Sequence, residues 1–142
     1  VKERKEEPQL FEHMQKGSET ILLVDDEEDI INVGKNFLEK LGYKPILARN
    51  GLEAVEIFRI YKDEISLIVL DLVMPKMNGK QVFSEIKNIQ KDAKILISTG
   101  YAVDDKIEGF LNQGCHGFIQ KPFSRQDLAT KVRKVLDGAK SQ

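Results

Sequence analysis

The stretch ILLVDDEEDI, residues 21 to 30, passes from a short apolar run directly into consecutive acids. The apolar half is typical of a buried strand. The acidic half is costly, because two carboxylates about 4 Å apart repel each other by roughly 4 kcal/mol at an effective dielectric of about 20. A fold tolerates this repulsion when a divalent cation offsets it. Asp25 and Asp26 are therefore candidate metal ligands at the end of the first strand.

Short apolar runs alternate along the rest of the chain with amphipathic segments of about ten to fourteen residues. This rhythm predicts a parallel sheet with crossover helices. The predicted strands cover 21 to 25, 44 to 48, 66 to 71, 94 to 99 and 117 to 121. Five strand-helix units with right-handed crossovers fit an α/β fold with an open, doubly wound sheet.

Capping residues mark the predicted helices. Gly42 suits a left-handed C-terminal cap of the first helix, and Asn50, Asn78 and Ser124 suit the starts of the second, third and fifth. Glu53 lies three residues after Asn50, as in a capping box. The fourth helix is predicted over 103–113. Apolar residues expected to be buried in the first two helices are Ile30, Ile31, Val33, Phe37, Leu38 and Leu41, then Leu52, Val55, Ile57 or Phe58, and Ile60 or Tyr61.

The chain of 142 residues is long enough for one domain, which we place at 20–138, with a charged linker at 1–19 and a tail at 139–142. Its net charge of -1 gives no overall electrostatic attraction to nucleic acid or anionic lipid. The single Cys115 excludes an internal disulfide, and no apolar run is long enough to span a bilayer. We expect a cytoplasmic protein without direct nucleic-acid or membrane contact.

Ligands of doubly wound sheets bind outside the carboxyl ends of the strands. The polar residues at these ends are Asp25 and Asp26, Asp71, Ser98 and Thr99, and Lys121. A nucleotide-binding sheet would instead carry glycines after the first strand. Oxygen ligands without a nearby His or Cys select a hard cation, and a few carboxylates with room for water and phosphate favour Mg²⁺ over Ca²⁺.

A cation beside an aspartate, with a lysine and a hydroxyl opposite, is a set of groups that can promote phosphoryl transfer to a carboxylate. The cation and the lysine neutralise the phosphoryl oxygens, and the hydroxyl donates a hydrogen bond to one of them. Asp71 is the natural nucleophile because it ends the central strand. The simpler alternative is that Asp25 and Asp26 belong to a solvated helix N-terminus. This alternative accounts well for the next acids, Glu27, Glu28 and Asp29, because acids suit the positive end of the helix dipole.

Four segments, ILLVDDE, LIVLDLVMPKMNG, ILISTGY and GFIQKPF, together resemble the receiver domain of two-component response regulators over about residues 20 to 138. The resemblance implies a flavodoxin-like (βα)5 sheet with strand order 2-1-3-4-5. It also implies that Asp71 is the phosphoacceptor and that Lys121, before an expected cis Pro122, binds the phosphate. Thr99 resembles the switch hydroxyl.

The same resemblance implies a Mg²⁺ site, with Mn²⁺ as a substitute. Its direct ligands would be Asp26, Asp71 and the backbone carbonyl of Val73, with Asp25 reaching the ion through water. Phe118 matches the aromatic residue that turns inward on activation, and we expect it to be largely buried in either state. The signalling surface, and a route to homodimerisation, would comprise the fourth predicted helix, the fifth strand and the fifth helix.

Two positions bear on the lifetime of the phosphoryl group. The resemblance implies that Val73 and Tyr101 flank the path of an attacking water, and neither can act as a general base near pH 7. We therefore expect slow self-dephosphorylation.

The expected partner is a histidine kinase or a histidine phosphotransfer domain. The charged leader, the start at Val1 and the GFIQKPF ending favour a receiver of a hybrid histidine kinase, with a free-standing regulator as the alternative. The domain is expected to catalyse its own phosphorylation and dephosphorylation and no other reaction. A haloacid dehalogenase-type phosphatase, which would need an acid where Val73 stands, and a receiver-shaped module that is never phosphorylated are the remaining alternatives.

Overall fold

The computed structural model describes residues 16–74, 76–100, 109 and 113–138. They form a parallel five-stranded sheet in the order β2-β1-β3-β4-β5, which confirms the predicted order. The strands are β1 (Thr20–Val24), β2 (Lys44–Ala48), β3 (Ile65–Asp71), β4 (Ile95–Thr99) and β5 (Gly117–Gln120). The described helices are α1 (Glu28–Lys40), α2 (Gly51–Tyr61), α3 (Gly79–Ile89) and α4 (Arg125–Leu136). The fourth predicted helix falls largely outside the described residues, so α4 is the fifth predicted one.

Helices cover both faces of the sheet and enclose two apolar cores. The central strand β3 contributes to both cores, with Ile68 and Leu70 on one face and Leu67 and Val69 on the other. The first core is closed by α2 and α3, and the second by α1 and α4. This arrangement explains why β3 carries no alternation of apolar and polar residues.

The predicted helix caps are present, but one predicted side-chain hydrogen bond, that of Glu53, has a different backbone donor. Gly42 follows α1 with a φ of 98°, a backbone conformation that glycine adopts without strain. Asn50, Asn78 and Ser124 each accept a hydrogen bond from the backbone amide three residues later. The capping box is complete at Asn78. Before α2, Glu53 accepts its hydrogen bond from the amide of Arg49 rather than from that of Asn50.

Three of the positions that we expected to be buried are exposed: Val33, Leu52, and the Ile60 or Tyr61 position, where both residues are exposed. The stripe of α2 that faces the sheet consists of Gly51, Ala54, Val55 and Phe58, and Leu52 and Ile60 lie outside it. A helix packed on a sheet buries a limited arc, so apolar residues beyond that arc stay in solvent.

The loop after β3 is held against the start of α3. The Gly79 amide donates to the Leu72 carbonyl at 2.9 Å. A Cβ at position 79 would lie 2.5 Å from the Asp71 carbonyl oxygen, so this close approach requires glycine. The loop therefore leaves Asp71 in a fixed place at the strand end.

Arg133 of α4 bonds the residues that directly precede β1, at the amino ends of the strands. Its guanidinium pairs with Glu19 at 2.8 Å and with Asp137 at 2.9 Å. It also donates to the Lys16 carbonyl at 3.1 Å and to the Tyr43 hydroxyl at 3.3 Å. Lys16 and Glu19, which precede β1, are thus bonded to α4. None of the described helices is both long enough and apolar enough to cross a membrane.

Candidate functional site

Three carboxylates meet at the carboxyl edge of the sheet. Asp25 and Asp26 follow β1, and Asp71 ends β3, which lies beside β1. One oxygen from each of the three carboxylates lies within 4.8 Å of the others. Asp25 and Asp71 are buried, at 1% and 3% exposure, whereas Asp26 is exposed. This set of oxygen donors fits a hard divalent cation, as the sequence predicted.

Lys121, directly after β5, extends into the same group. Its Nζ lies 3.1 Å from Oδ2 of Asp25 and 3.2 Å from Oδ1 of Asp71. Glu27 contributes a third carboxylate oxygen at 3.8 Å. One ammonium therefore offsets part of the charge of several acids, and the lysine side chain itself is 12% exposed.

Burial, followed by the neighbouring Asp25 carboxylate, raises the pKa of Asp71 to about 6, although Lys121 acts in the opposite direction. Burial would lower the pKa of Lys121, but the charges of Asp71 and Asp25 outweigh it, so that pKa ends above its ordinary value. The lysine is therefore protonated at neutral pH. A cation bound beside Asp71 would favour the ionised carboxylate, since an opposite charge within a few ångströms lowers the pKa of an acid.

The backbone fixes the orientation of both buried carboxylates. Oδ1 of Asp25 accepts from the Glu27 amide at 2.9 Å, while its Oδ2 faces Lys121. Oδ1 of Asp71 accepts from the Val73 amide at 3.5 Å and also faces Lys121. Among the described residues, these contacts of Asp71 all use Oδ1, so its other oxygen is the better placed to meet an incoming group.

A cleft of about 510 Å³ opens over this edge. Its lining consists of Asp26, Glu27, Ile30, Asp71, Val73, Thr99, Gly100, Lys121 and Pro122. Thr99 is buried at the end of β4, whereas Val73 is 65% exposed. The peptide bond between Lys121 and Pro122 is cis, as expected. The cleft therefore combines an acidic floor, a buried hydroxyl and an ammonium.

Most of the predicted site residues lie at the cleft. Asp26, Asp71, Val73, Thr99 and Lys121 line the cleft, and Asp25 lies beside them, bonded to Lys121. Tyr101 lies outside the described residues.

Phe118 lies on β5, where it packs against the first core but remains partly exposed. Its place on β5, an edge strand of the sheet, accounts for this partial exposure. That Phe118 is largely buried in both states stays a prediction.

Sequence reasoning missed a contact of Glu27. The residue lies at the start of α1, as its acidic character predicts, and it is the N-cap of that helix without a side-chain capping bond. Its carboxylate instead lines the cleft near Lys121. The available signal was its position directly after the aspartate pair, at the strand end. Ile30 also lines the cleft, which its apolar character did not indicate.

A family model of the response regulator receiver domain matches residues 21–133. The chain belongs to this family. Among curated relatives, this receiver domain is 36% identical over 121 residues to the sensor kinase CckA of Brucella abortus, covering 85% of this chain and 13% of that protein. It is 40% identical over 124 residues to the probable transcriptional regulator ycf27 of Porphyra purpurea, covering 87% of this chain and 49% of that protein. The chain thus spans half or less of these relatives.

Solved structures of receivers share the fold. The CheX-CheY-BeF3-Mg²⁺ complex from Borrelia burgdorferi contains a chain that matches with a TM-score of 0.79 at 27% identity, covering 82% of this chain and 88% of that one. The receiver domain of the hybrid histidine kinase CckA matches with a TM-score of 0.70 at 26% identity, covering 82% of this chain and 98% of that one. This chain is therefore a CheY-like receiver domain of a two-component system.

Proposed function

We propose that this receiver accepts a phosphoryl group from a phosphohistidine onto Asp71 in a Mg²⁺-dependent reaction. The observation that carries the proposal is the contact of Lys121 Nζ with Asp71 at 3.2 Å, inside a cleft that Thr99 and Asp26 also line. In-line attack by a carboxylate oxygen of Asp71 forms the new P–O bond as the P–N bond to the donor histidine breaks. The imidazole leaves with the electron pair of that bond.

The chain's own residues support this transfer through charge and position. Asp71 is held by the Val73 amide and by Lys121, and both contacts use Oδ1, which leaves Oδ2 as the candidate attacking oxygen. As negative charge builds on the transferred group, Lys121 can leave Oδ1 and bond a phosphoryl oxygen. Thr99, buried at the end of β4, can donate its hydroxyl to another oxygen.

The carboxylates present fit Mg²⁺. The three oxygens within 4.8 Å of one another are hard donors, and no His or Cys is a member of the cluster. Asp26, Asp71 and the Val73 carbonyl would hold the ion directly, with Asp25 acting through water, and Mn²⁺ would substitute. When bound, the ion supplies neutralisation of the phosphoryl oxygens. The Borrelia burgdorferi complex, which contains Mg²⁺ and BeF3, supports this assignment.

The signal would leave through the neighbouring strand. A phosphoryl group adds about two negative charges at the end of β3, and Thr99 would move toward it. Phe118 on β5, partly exposed, would then turn inward. The face formed by the predicted helix over 103–113, β5 and α4 is the proposed output surface, and homodimerisation would use the same face.

We assign the domain to residues 20–138, the linker to 1–19 and the tail to 139–142, within a hybrid sensor kinase. The similarity to CckA of Brucella abortus supports that context, and the donor would be a histidine kinase or a histidine phosphotransfer domain. A free-standing response regulator is the alternative. A cytoplasmic location remains the prediction for either context.

The proposed chemistry can be tested with acetyl phosphate or beryllofluoride in the presence of Mg²⁺. Intact-mass spectrometry of the acetyl phosphate reaction should show one phosphoryl group on the protein, and Asp71→Asn should abolish it. Asp63→Asn, which changes an exposed acid in the turn after α2, is the matched control and should retain it. Steady turnover of a phosphate ester would instead support the phosphatase alternative. Absence of any adduct would support the module that is never phosphorylated.

A further inference from the structure

We infer that Glu27 is a positioning residue that holds Lys121 from the solvent side of the cleft and slows the entry of anionic phosphoryl donors. The inference rests on the proposed phosphoryl transfer to Asp71. The lysine Nζ has two inner partners, Asp25 at 3.1 Å and Asp71 at 3.2 Å. Glu27 faces the same Nζ at 3.8 Å, and its side chain is 63% exposed where those of the inner partners are buried.

Glu27 is held in this place by its backbone. Its amide donates to Oδ1 of Asp25 at 2.9 Å, so residue 27 stays next to the acidic pair. Its side chain makes no capping bond to α1, although it precedes the first residue of that helix. The carboxylate is thus directed into the lining of the cleft rather than used to start the helix.

The next acid along the chain provides the contrast. Glu28 accepts two hydrogen bonds from the guanidinium of Arg49, at 2.9 and 3.0 Å, and does not line the cleft. Its charge is offset by a partner outside the site. Glu27 and Glu28 are therefore adjacent and chemically alike, but only the charge of Glu27 lies in the cleft that a phosphoryl donor would enter.

Glu27 affects a donor in two ways. Its carboxylate competes with the phosphoryl oxygens for Lys121, and its negative charge repels a phosphoryl dianion as that dianion enters. Both effects act before the P–O bond forms, and both are screened by salt because Glu27 is exposed. Removal of this one charge should therefore accelerate phosphorylation by small anionic donors about three- to tenfold at low ionic strength.

The test compares wild type, Glu27→Gln and Glu28→Gln in Mg²⁺ with acetyl phosphate over a range of concentrations. The rate of adduct formation is measured by intact mass at ionic strengths of about 0.02 M and about 0.5 M. We expect Glu27→Gln to react faster at low salt, mainly through a lower half-saturating acetyl phosphate concentration, with the difference shrinking at high salt. Glu28→Gln should stay within about twofold of wild type, because Arg49 already offsets that acid.

Equal rates for Glu27→Gln and wild type at low salt would overturn the inference, as would an equal acceleration by Glu28→Gln. An acceleration that persists unchanged at high salt would also contradict it, because a charge effect must be screened. Thermal melting of each variant without donor checks that the fold is intact. Failure of wild type itself to form an adduct would refute the proposed function instead, so the two failures are distinguishable.

Discussion

The Lys121 ammonium lies 3.2 Å from Oδ1 of Asp71, so in the unphosphorylated domain the proposed phosphate-binding cation is bound to the proposed phosphoacceptor. This contact offsets part of the cost of keeping Asp71 ionised in a buried position. It also places the lysine where the phosphoryl oxygens would arrive, so that only a short movement is needed during the transfer.

Replacement of Lys121 by Met should lower the rate of phosphorylation by acetyl phosphate by at least about tenfold, because the developing charge loses its ammonium partner. Lys134→Met, which changes an exposed lysine on α4, is the control and should leave the rate within about twofold of wild type. The measurement is the time course of adduct formation at saturating Mg²⁺. A Lys121→Met rate equal to that of wild type would remove the lysine from the proposed chemistry.

The raised pKa of Asp71 predicts a pH dependence of stability in the absence of divalent cations. The pKa rises from 3.8 to about 6 on folding, so the folded state binds the extra proton between about pH 4 and pH 6. Stability should therefore fall as pH increases through that window. Such a rise in pKa corresponds to about 3 kcal/mol at most. Asp71→Asn should consequently stabilise the metal-free protein at pH 7.5, by about 1–3 kcal/mol, and have little effect at pH 4.5.

Urea denaturation in EDTA at the two pH values measures this difference. Asp63→Asn, with its acid in solvent, is the control and should show no comparable gain at pH 7.5. An equal effect of Asp71→Asn at both pH values would show that the carboxyl titrates as an ordinary exposed acid.

Magnesium should raise the melting temperature, because it binds the folded carboxylate cluster and relieves its repulsion. The gain should be about 1.5–3 kcal/mol at 10 to 100 times the dissociation constant. Asp26→Asn should remove most of this gain, since the exposed Asp26 contributes one of the three clustered oxygens. Glu28→Gln should retain it, because Glu28 is paired with Arg49. Loss of the magnesium effect in both variants would point to a diffuse acidic surface rather than a defined site.

The phosphoryl group on Asp71 should persist for minutes or longer in purified protein with Mg²⁺. Val73 is 65% exposed at the cleft and offers an attacking water neither a base nor a hydrogen bond from its side chain. Val73→Asn would supply an amide able to orient that water, and we expect dephosphorylation to become several-fold faster. The decay of the adduct after removal of acetyl phosphate measures both rates. A wild-type half-life of seconds would contradict the role given to Val73.

The contacts of Arg133, at the end of the sheet away from the cleft, should stabilise the fold and protect the segment before β1 from proteolysis. Arg133→Ala removes charge-assisted hydrogen bonds to Glu19 and to the Lys16 carbonyl, and should cost about 1.5–3 kcal/mol. Trypsin should then cleave after Lys16 faster than in wild type. Lys134→Ala, on the same helix, is the control for both measurements. An unchanged cleavage rate in Arg133→Ala would show that other contacts hold the segment.

Some features of the fold could be predicted from the sequence because they depend on neighbouring residues. Asn78 and Gln81, three positions apart, complete a capping box wherever the helix is placed. Gly42 ends α1 through its own backbone freedom. The apolar run of β3 ends in Asp71, and the ends of parallel strands lie on one edge whatever the details of packing. These signals were sufficient to place the candidate site.

Other features depend on residues that are distant in the chain. Exposure of Ile60 and Leu52 follows from the arc of α2 that meets the sheet, which no local pattern of apolar residues specifies. Phe118 is partly exposed because β5 is at the edge of the sheet. The change of partner from Asn50 to Arg49 for Glu53 depends on how the chain leaves β2.

The residues at the strand ends, and hence the chemistry of the cleft, were determined by the sequence, because side-chain type and strand polarity are local properties. The charge network was decided by the tertiary structure. Lys121 reaches Asp25 across 96 positions of the chain, and the same packing directs Glu27 toward that lysine while Glu28 turns to Arg49. Electrostatic energies vary steeply with distance and burial, and both are set only when the strands and helices have packed.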